Sequence, residues 1–256
     1  MGLFDKKYCD VCGERIGLLG NRKLEDGNLC KDCARKLSPW FSERRNSSVN
    51  EIKRQLEYRE ENRGRVEAFH ITRTLGSGTK LLLDEDAGLF MVTSAKNIAE
   101  ANPDVLALSD VTGCTLDVEE SSKELLHEDK DGNEVSYNPP RYEYSYDFYI
   151  IVNVNNPYFN EMHFRINPNS VEISPPPSIR PGVTLRFNPE TNAEYKKYKQ
   201  LGEEIRQILV KVRDDVREKI EQAAAPKTAV SCPYCGATTT PDASGCCEYC
   251  GGALMG

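Results

Sequence analysis

Eight of the ten cysteines form two sets of paired C-x-x-C knuckles. Cys9, Cys12, Cys30 and Cys33 lie near the start of the chain, and Cys232, Cys235, Cys247 and Cys250 near its end. Two thiolates three residues apart, met by a second such pair brought back by the chain, supply four soft ligands for a tetrahedral Zn²⁺ ion. Four sulfurs close the coordination sphere and leave no position for water or substrate. The expected chemistry is therefore structural, with two Zn²⁺ per chain. A thioredoxin-like redox role would need one exposed pair on a βαβ frame.

The remaining chemistry-bearing residues do not converge. Cys246 adjoins Cys247, but the knuckle spacing selects Cys247 with Cys250 and leaves Cys246 a spare thiol. Cys114 sits among strand residues and reads as a small buried hydrophobe. No Asp, Glu or Cys cluster accompanies His70, His127 and His163 at ligand spacing. Ser77-Gly78-Thr79-Lys80 matches a bare S-x-x-K without its companion motifs, and the glycines around it lack the spacing of a phosphate loop. Asp129, Asp131 and Asn133 begin like a calcium loop, but Glu134 takes the glycine position and Pro140 that of the bidentate glutamate. Both segments read as turns. No catalytic residue and no organic cofactor site is identified, and the expectation is a protein that is not an enzyme.

Two ligand sets need scaffolds to bring their halves together. Residues 1–45 read as a treble-clef-like four-cysteine module, with knuckle, hairpin and then a second knuckle opening a helix. Turn signals stand at Gly20-Asn21 and Asp26-Gly27-Asn28. Residues 46–65 read as a helical linker that starts at a capping box, Ser48 with Glu51, and ends near Gly64. Its basic face reads as solvated.

From Val66 the pattern changes to period two, and residues 66–187 read as a mainly antiparallel β-barrel of six or seven strands. Its predicted strands include Phe69–Leu75, Lys80–Asp84, Leu89–Thr93 and Val111–Val118, with a polar hairpin around Asp131-Gly132-Asn133. The clearest pair presents Tyr146, Phe148, Ile150, Val152 and Val154 on one face, opposite Met162, Phe164 and Ile166. Pro175-Pro176-Pro177 stiffens the exit.

Residues 188–224 read as one long amphipathic helix capped by Asn188, with a stripe of Tyr198, Leu201, Ile205, Ile208, Val212, Val216 and Ile220. Packing within the chain is the favoured use of that stripe, and self-association through its distal part the alternative. Residues 225–256 read as a linker and a zinc ribbon. The fold class expected is α+β and multidomain.

The net charge is −7, with 39% hydrophobic and 8% aromatic residues, enough for one medium domain with appendages. Residues 1–66 carry fifteen Lys or Arg against eleven Asp or Glu, whereas residues 67–222 carry seventeen against twenty-seven. An acidic middle repels phosphate, so only the N-terminal part suits an anionic partner. No run approaches the ~18 apolar residues of a membrane span. The first residues lack the apolar stretch of a secretory signal, and Lys6 stands where a myristoylation motif needs Ser or Thr. Paired knuckles without such a signal point to a reducing, cytoplasmic location.

Tyr8-Cys9-Asp10-Val11-Cys12-Gly13, Leu29-Cys30-Lys31-Asp32-Cys33 and Glu51-Ile52 resemble a bacterial family defined by an N-terminal four-cysteine domain of unknown function. The resemblance covers roughly the first 65 residues. It implies a zinc-binding domain held by the first four cysteines and assigns no activity. The strands followed by a long helix resemble, in element order, a bacterial pleckstrin-homology-like barrel, and the tail resembles zinc ribbons appended to many bacterial proteins. The expectation is an intracellular adaptor with a protein partner. The alternatives are nucleic-acid binding through Arg44, Arg45, Lys53 and Arg54, and anionic-lipid binding by the barrel.

Overall fold

The computed structural model describes residues 6–176, 187–224, 229–242 and 245–254, with the side chains at 212, 213, 215–217 and 219–224 also outside that description. The chain divides into two compact units, Met1–Arg213 and Asp214–Gly256.

The first unit opens with two short antiparallel hairpins. β1 (Lys7–Tyr8) pairs with β2 (Arg15–Ile16), and β3 (Arg22–Lys23) pairs with β4 (Asn28–Leu29). α1 (Lys31–Arg35) follows at once. Ile16, Leu24, Leu29, Leu37 and Ile52 bury together with Cys9, Cys30 and Cys33.

α2 (Val49–Ala68) starts at the expected capping box: Glu51 N donates to Ser48 Oγ at 3.3 Å, and Ser48 N donates to Glu51 Oε2 at 2.7 Å. It does not stop near Gly64. A glycine inside a helix costs about 1 kcal/mol relative to alanine, and Val66, packed with Leu82, Met91 and Val105, holds the last turn in place. Ser48→Ala should lower stability by about 1 kcal/mol in urea denaturation. The Ser48 backbone N–H, then its side chain, hold the Glu51 carboxyl below its ordinary value. A depressed carboxyl contributes stability that is lost as pH falls through its folded value, so the Ser48→Ala penalty should shrink in acid.

The buried face of α2 is Ile52, Gln55, Arg59, Asn62 and Val66. Arg59 is not solvated as the sequence suggests. Its Nη1 lies 2.7 Å from Asp104 Oδ1, with side chains 5% and 0% exposed. Arg59 Nε donates to Lys36 O at 3.1 Å and Nη2 to Asn102 O. Ser38 Oγ donates to the other Asp104 oxygen at 2.7 Å. Asn62 Nδ2 donates to Asn102 Oδ1 and Pro103 O, and its Oδ1 accepts from Val105 N. A buried charge persists only when paired and hydrogen-bonded, and this clasp joins the exit of the cysteine module, α2 and the 102–105 loop.

β5 (Arg73–Leu75), β6 (Lys80–Asp84), β7 (Leu89–Thr93) and β8 (Leu106–Ala107) form one antiparallel sheet, with α3 (Ile98–Ala101), unforeseen in the sequence, between the last two. β9 (Val111–Glu128), β10 (Glu134–Val154), β11 (Glu161–Arg165) and β12 (Val171–Ile173) form a second sheet. β10 takes β9 on one side and β11 and β12 on the other. All eight residues of the expected apolar pair are buried, Ile150 opposite Phe164 and Val152 opposite Met162.

The expected barrel does not close: among the described residues no ladder joins the two sheets. A 3₁₀ turn at Leu108–Asp110 interrupts the chain between them. Side chains of both sheets instead bury against α4 (Ala193–Ala224) through Tyr195, Tyr198, Ile205 and Leu209. Gly202 permits this approach, since a Cβ there would meet Leu116 Cδ1 at 2.5 Å.

Asn188 caps a 3₁₀ turn at Pro189–Thr191, not α4 itself, whose first turn is capped by Asn192. Of the stripe, Tyr198, Leu201, Ile205 and Ile208 pack within the unit, while the side chains of Val212, Val216 and Ile220, like Pro177, lie outside the described residues.

β9 and β10 run well past the strand bounds read from the sequence. Outside the core they form an exposed ribbon, where Arg141 stands over the Tyr137 ring at 4.1 Å and Asp129 Oδ1 accepts from Asp131 N and Asn133 N at the tip. In the second unit, β13 (Val230–Ser231) pairs with β14 (Thr238–Thr239), and Cys246 bridges to Ala253 through the backbone. Among the described residues no helix is long and apolar enough to cross a membrane.

Candidate metal centres

Each ligand set converges as its spacing requires. The ligand atoms of Cys9, Cys12, Cys30 and Cys33 all lie within 4.8 Å of one another, and so do those of Cys232, Cys235, Cys247 and Cys250. The local cause is the same at three knuckles. Cys9 N donates to Glu14 O, Cys232 N to Ala237 O and Cys247 N to Gly252 O, while Gly13 N, Gly236 N and Gly251 N return to the carbonyls of those cysteines. These three glycines adopt φ of 75°, 73° and 70°, a region that a Cβ disfavours. The fourth knuckle is a helix start: Cys30 caps α1, and its Sγ accepts from Cys33 N at 3.3 Å.

The separations fit a tetrahedral ion. Zn–S bonds of about 2.3 Å at tetrahedral angles imply S···S edges of about 3.8 Å. Cys12 and Cys30 stand 3.7 Å apart, Cys232 and Cys250 3.6 Å, and Cys235 and Cys247 3.7 Å. A disulfide would need about 2.05 Å. Cys9 and Cys232 each lie deep in their sets, whereas Cys12, Cys235 and Cys250 are exposed.

Four thiols this close cannot ionise together without a cation among them. Burial acts to raise Cys9, but N–H groups of Cys12, Cys30 and Val11 outweigh it and hold the thiol at about 7. Burial, then the Cys30 and Cys12 thiols, push Cys33 well above its ordinary value. In the second set, burial opposes the Cys235 and Tyr234 N–H groups, and Cys232 settles at about 7. A divalent ion removes the repulsion that separates such neighbours.

The other sequence candidates stay apart from these centres. Cys114 is buried, and desolvation pushes its thiol up to about 12, as suits a side chain used for packing. His70 precedes β5 and is not in a strand, His127 packs on Tyr137, and His163 on Tyr149. Ser77 to Thr79 and Asp129 to Asn133 lie in turns, and Lys80 opens β6. Of the proposed nucleic-acid contacts, Arg44 donates to Lys23 O at 2.8 Å, while Arg45, Lys53 and Arg54 are exposed. Sequence reasoning missed Arg59 and Asp104, since an arginine on a charged helix carries no signal of burial.

Residues 7–55 match a family described as a domain of unknown function, DUF4428. The matched segment contains the first metal centre, both small hairpins, α1 and the start of α2. No curated protein and no solved structure matches the chain.

Proposed function

We propose that the protein is a non-enzymatic intracellular adaptor whose two zinc ions serve architecture. One observation carries this reading: at each end four sulfurs stand at tetrahedral spacing, so an ion there has every coordination position filled by protein. On this reading residues 1–45 are a treble clef, 66–224 a pleckstrin-homology-like sandwich with its closing helix, and 225–256 a zinc ribbon. Two facing sheets that share a core with the following helix support the second assignment.

Tyr234 and Tyr249, each 73% exposed, occupy the same position in the two ribbon knuckles. Rigid exposed aromatics suit contact with a protein partner. Protein purified from a reducing host without added metal should contain two zinc ions per chain by elemental analysis. Affinity capture with Tyr234→Ala/Tyr249→Ala should lose partners that the parent chain retains. Absence of zinc from the reduced, folded protein would end the architectural reading, and turnover of a substrate would end the non-enzymatic one.

A further inference from the structure

Two features of the N-terminal module lie outside its metal chemistry. The first is the turn between β2 and β3. Gly20 N donates to Gly17 O at 2.9 Å and closes it, which leaves Leu18 and Leu19 at the apex, 91% and 82% exposed. Burying a leucine is worth about 1.5–3 kcal/mol, and Leu24 and Leu29 of the same module are buried at 1% and 0%. The module has an apolar interior and keeps this pair out of it.

The second feature is a cavity of about 310 Å³ lined by Arg22, Lys31, Ala34 and Arg35. Arg22 belongs to both features, since its Nη1 donates to Leu19 O at 3.4 Å and Asn21 O at 3.3 Å. Asp32 lies 3.3 Å from Arg35, an exposed pair that water screens. The positive charge extends beyond the cavity: burial, then Arg22 and Arg45, depress the pKa of Arg44.

We propose that this face docks on an anionic phospholipid surface. Leu18 and Leu19 enter the boundary between headgroups and acyl chains, and Arg22, Lys31 and Arg35 hold a lipid phosphate. A modest apolar anchor joined to a cationic patch is the pair of signals that stable peripheral binding requires. A protein interface buries about 800 Å² per partner over a fitted surface, whereas a bilayer receives a protruding two-residue tip without one. Nucleic acid is the poorer match, because single strands are held by aromatic stacking and leucine offers no such face. This surface is distinct from the sheets, which lie in the acidic part of the chain, and from the ribbon tyrosines assigned to protein contact.

The test is co-sedimentation of the full-length, zinc-loaded protein with phosphatidylcholine vesicles, with and without phosphatidylglycerol. Binding is expected only to the anionic vesicles and should weaken with salt. Lys31→Gln/Arg35→Gln should weaken it roughly fivefold per cation removed. Leu18→Ser/Leu19→Ser should weaken it about tenfold or more, with the zinc content of both variants unchanged. The proposal is overturned if the protein ignores anionic vesicles or binds neutral ones equally well. It is also overturned if the leucine variant binds like the parent chain, which would mark a soluble-anion site that inorganic phosphate should then fill. Salt-sensitive RNA binding with no vesicle binding would overturn it in favour of nucleic acid.

Discussion

Cys33→Ser is expected to release one of the two metal ions and to unfold residues 7–37 while the sheets remain folded. Three of the eight buried side chains in the module's core are candidate metal ligands; Ile16, Leu24, Leu29, Leu37 and Ile52 are the other buried ones, with Val11, Ala34, Phe41, Val49 and Leu56 packed partly buried against them. Structural zinc contributes on the order of 10–16 kcal/mol in finger peptides, as much as the whole stability of a typical domain, about 5–15 kcal/mol. A core this small cannot substitute for it. The sheets draw on a separate cluster built from β5 to β12 and α4.

Trp40, the only tryptophan, follows the cysteine module in the chain and packs on the sheets' core, its ring 6.3 Å from that of Phe164. Its emission should shift to the red in the variant. Hydrogen exchange should accelerate across 7–37 and remain slow in β6, β7 and β10. A variant that keeps two ions, or keeps slow exchange in 7–37 with one, would show that the module does not depend on its metal.

The ligand sets were legible because metal chemistry imposes a spacing that the chain must honour, and the knuckle glycines mark the turn that this spacing needs. The apolar pair in β10 and β11 was legible for a similar reason: burial on one face sets a period of two, and Tyr146, Phe148, Ile150, Val152 and Val154 stand at every second position. Where burial stops, so does the signal. Past Val118, β9 is largely exposed, so apolar alternation does not carry it to Glu128; only the turn at Asp131-Gly132-Asn133 hints at a hairpin there, and backbone pairing to β10 extends the strand.

Closure of the sheets was misjudged because strand count and spacing do not distinguish a barrel from two sheets on a common helix. The 3₁₀ turn at Leu108–Asp110 separates the sheets, and the rings of Tyr195 and Tyr198 from the distant helix pack on Phe148. Long-range contacts of this kind leave no local pattern. Arg59 illustrates the same limit from the polar side. Its helix neighbours Glu57, Glu60 and Glu61 are exposed as their charge suggests, and only a partner 45 positions away explains why it differs.

Arg59→Met is the second substitution with a large expected effect. It retains most of the aliphatic stem but removes the guanidinium that meets Asp104, Lys36 O and Asn102 O. Removing one partner of a buried ion pair costs about 3–5 kcal/mol, because the surviving charge stays in a medium that cannot solvate it. Urea denaturation followed through Trp40 should show that loss, with the metal content unchanged.

Arg59→Met/Asp104→Leu should recover part of the loss, since apolar replacement of both partners removes the stranded charge. Ser38, which then loses its acceptor, limits the recovery. The pH dependence gives an independent check. Burial already pushes the Asp104 carboxyl above its ordinary value, against the opposing pull of Arg59 and Ser38. Without Arg59 it rises further. A carboxyl raised on folding binds its proton more tightly in the native state, so stability falls as pH climbs from the ordinary Asp range through the raised value. The Arg59→Met penalty should therefore be smallest in mild acid and grow toward neutrality. A penalty independent of pH, or a double variant no more stable than the single one, would show that Arg59 acts through packing and not through its charge.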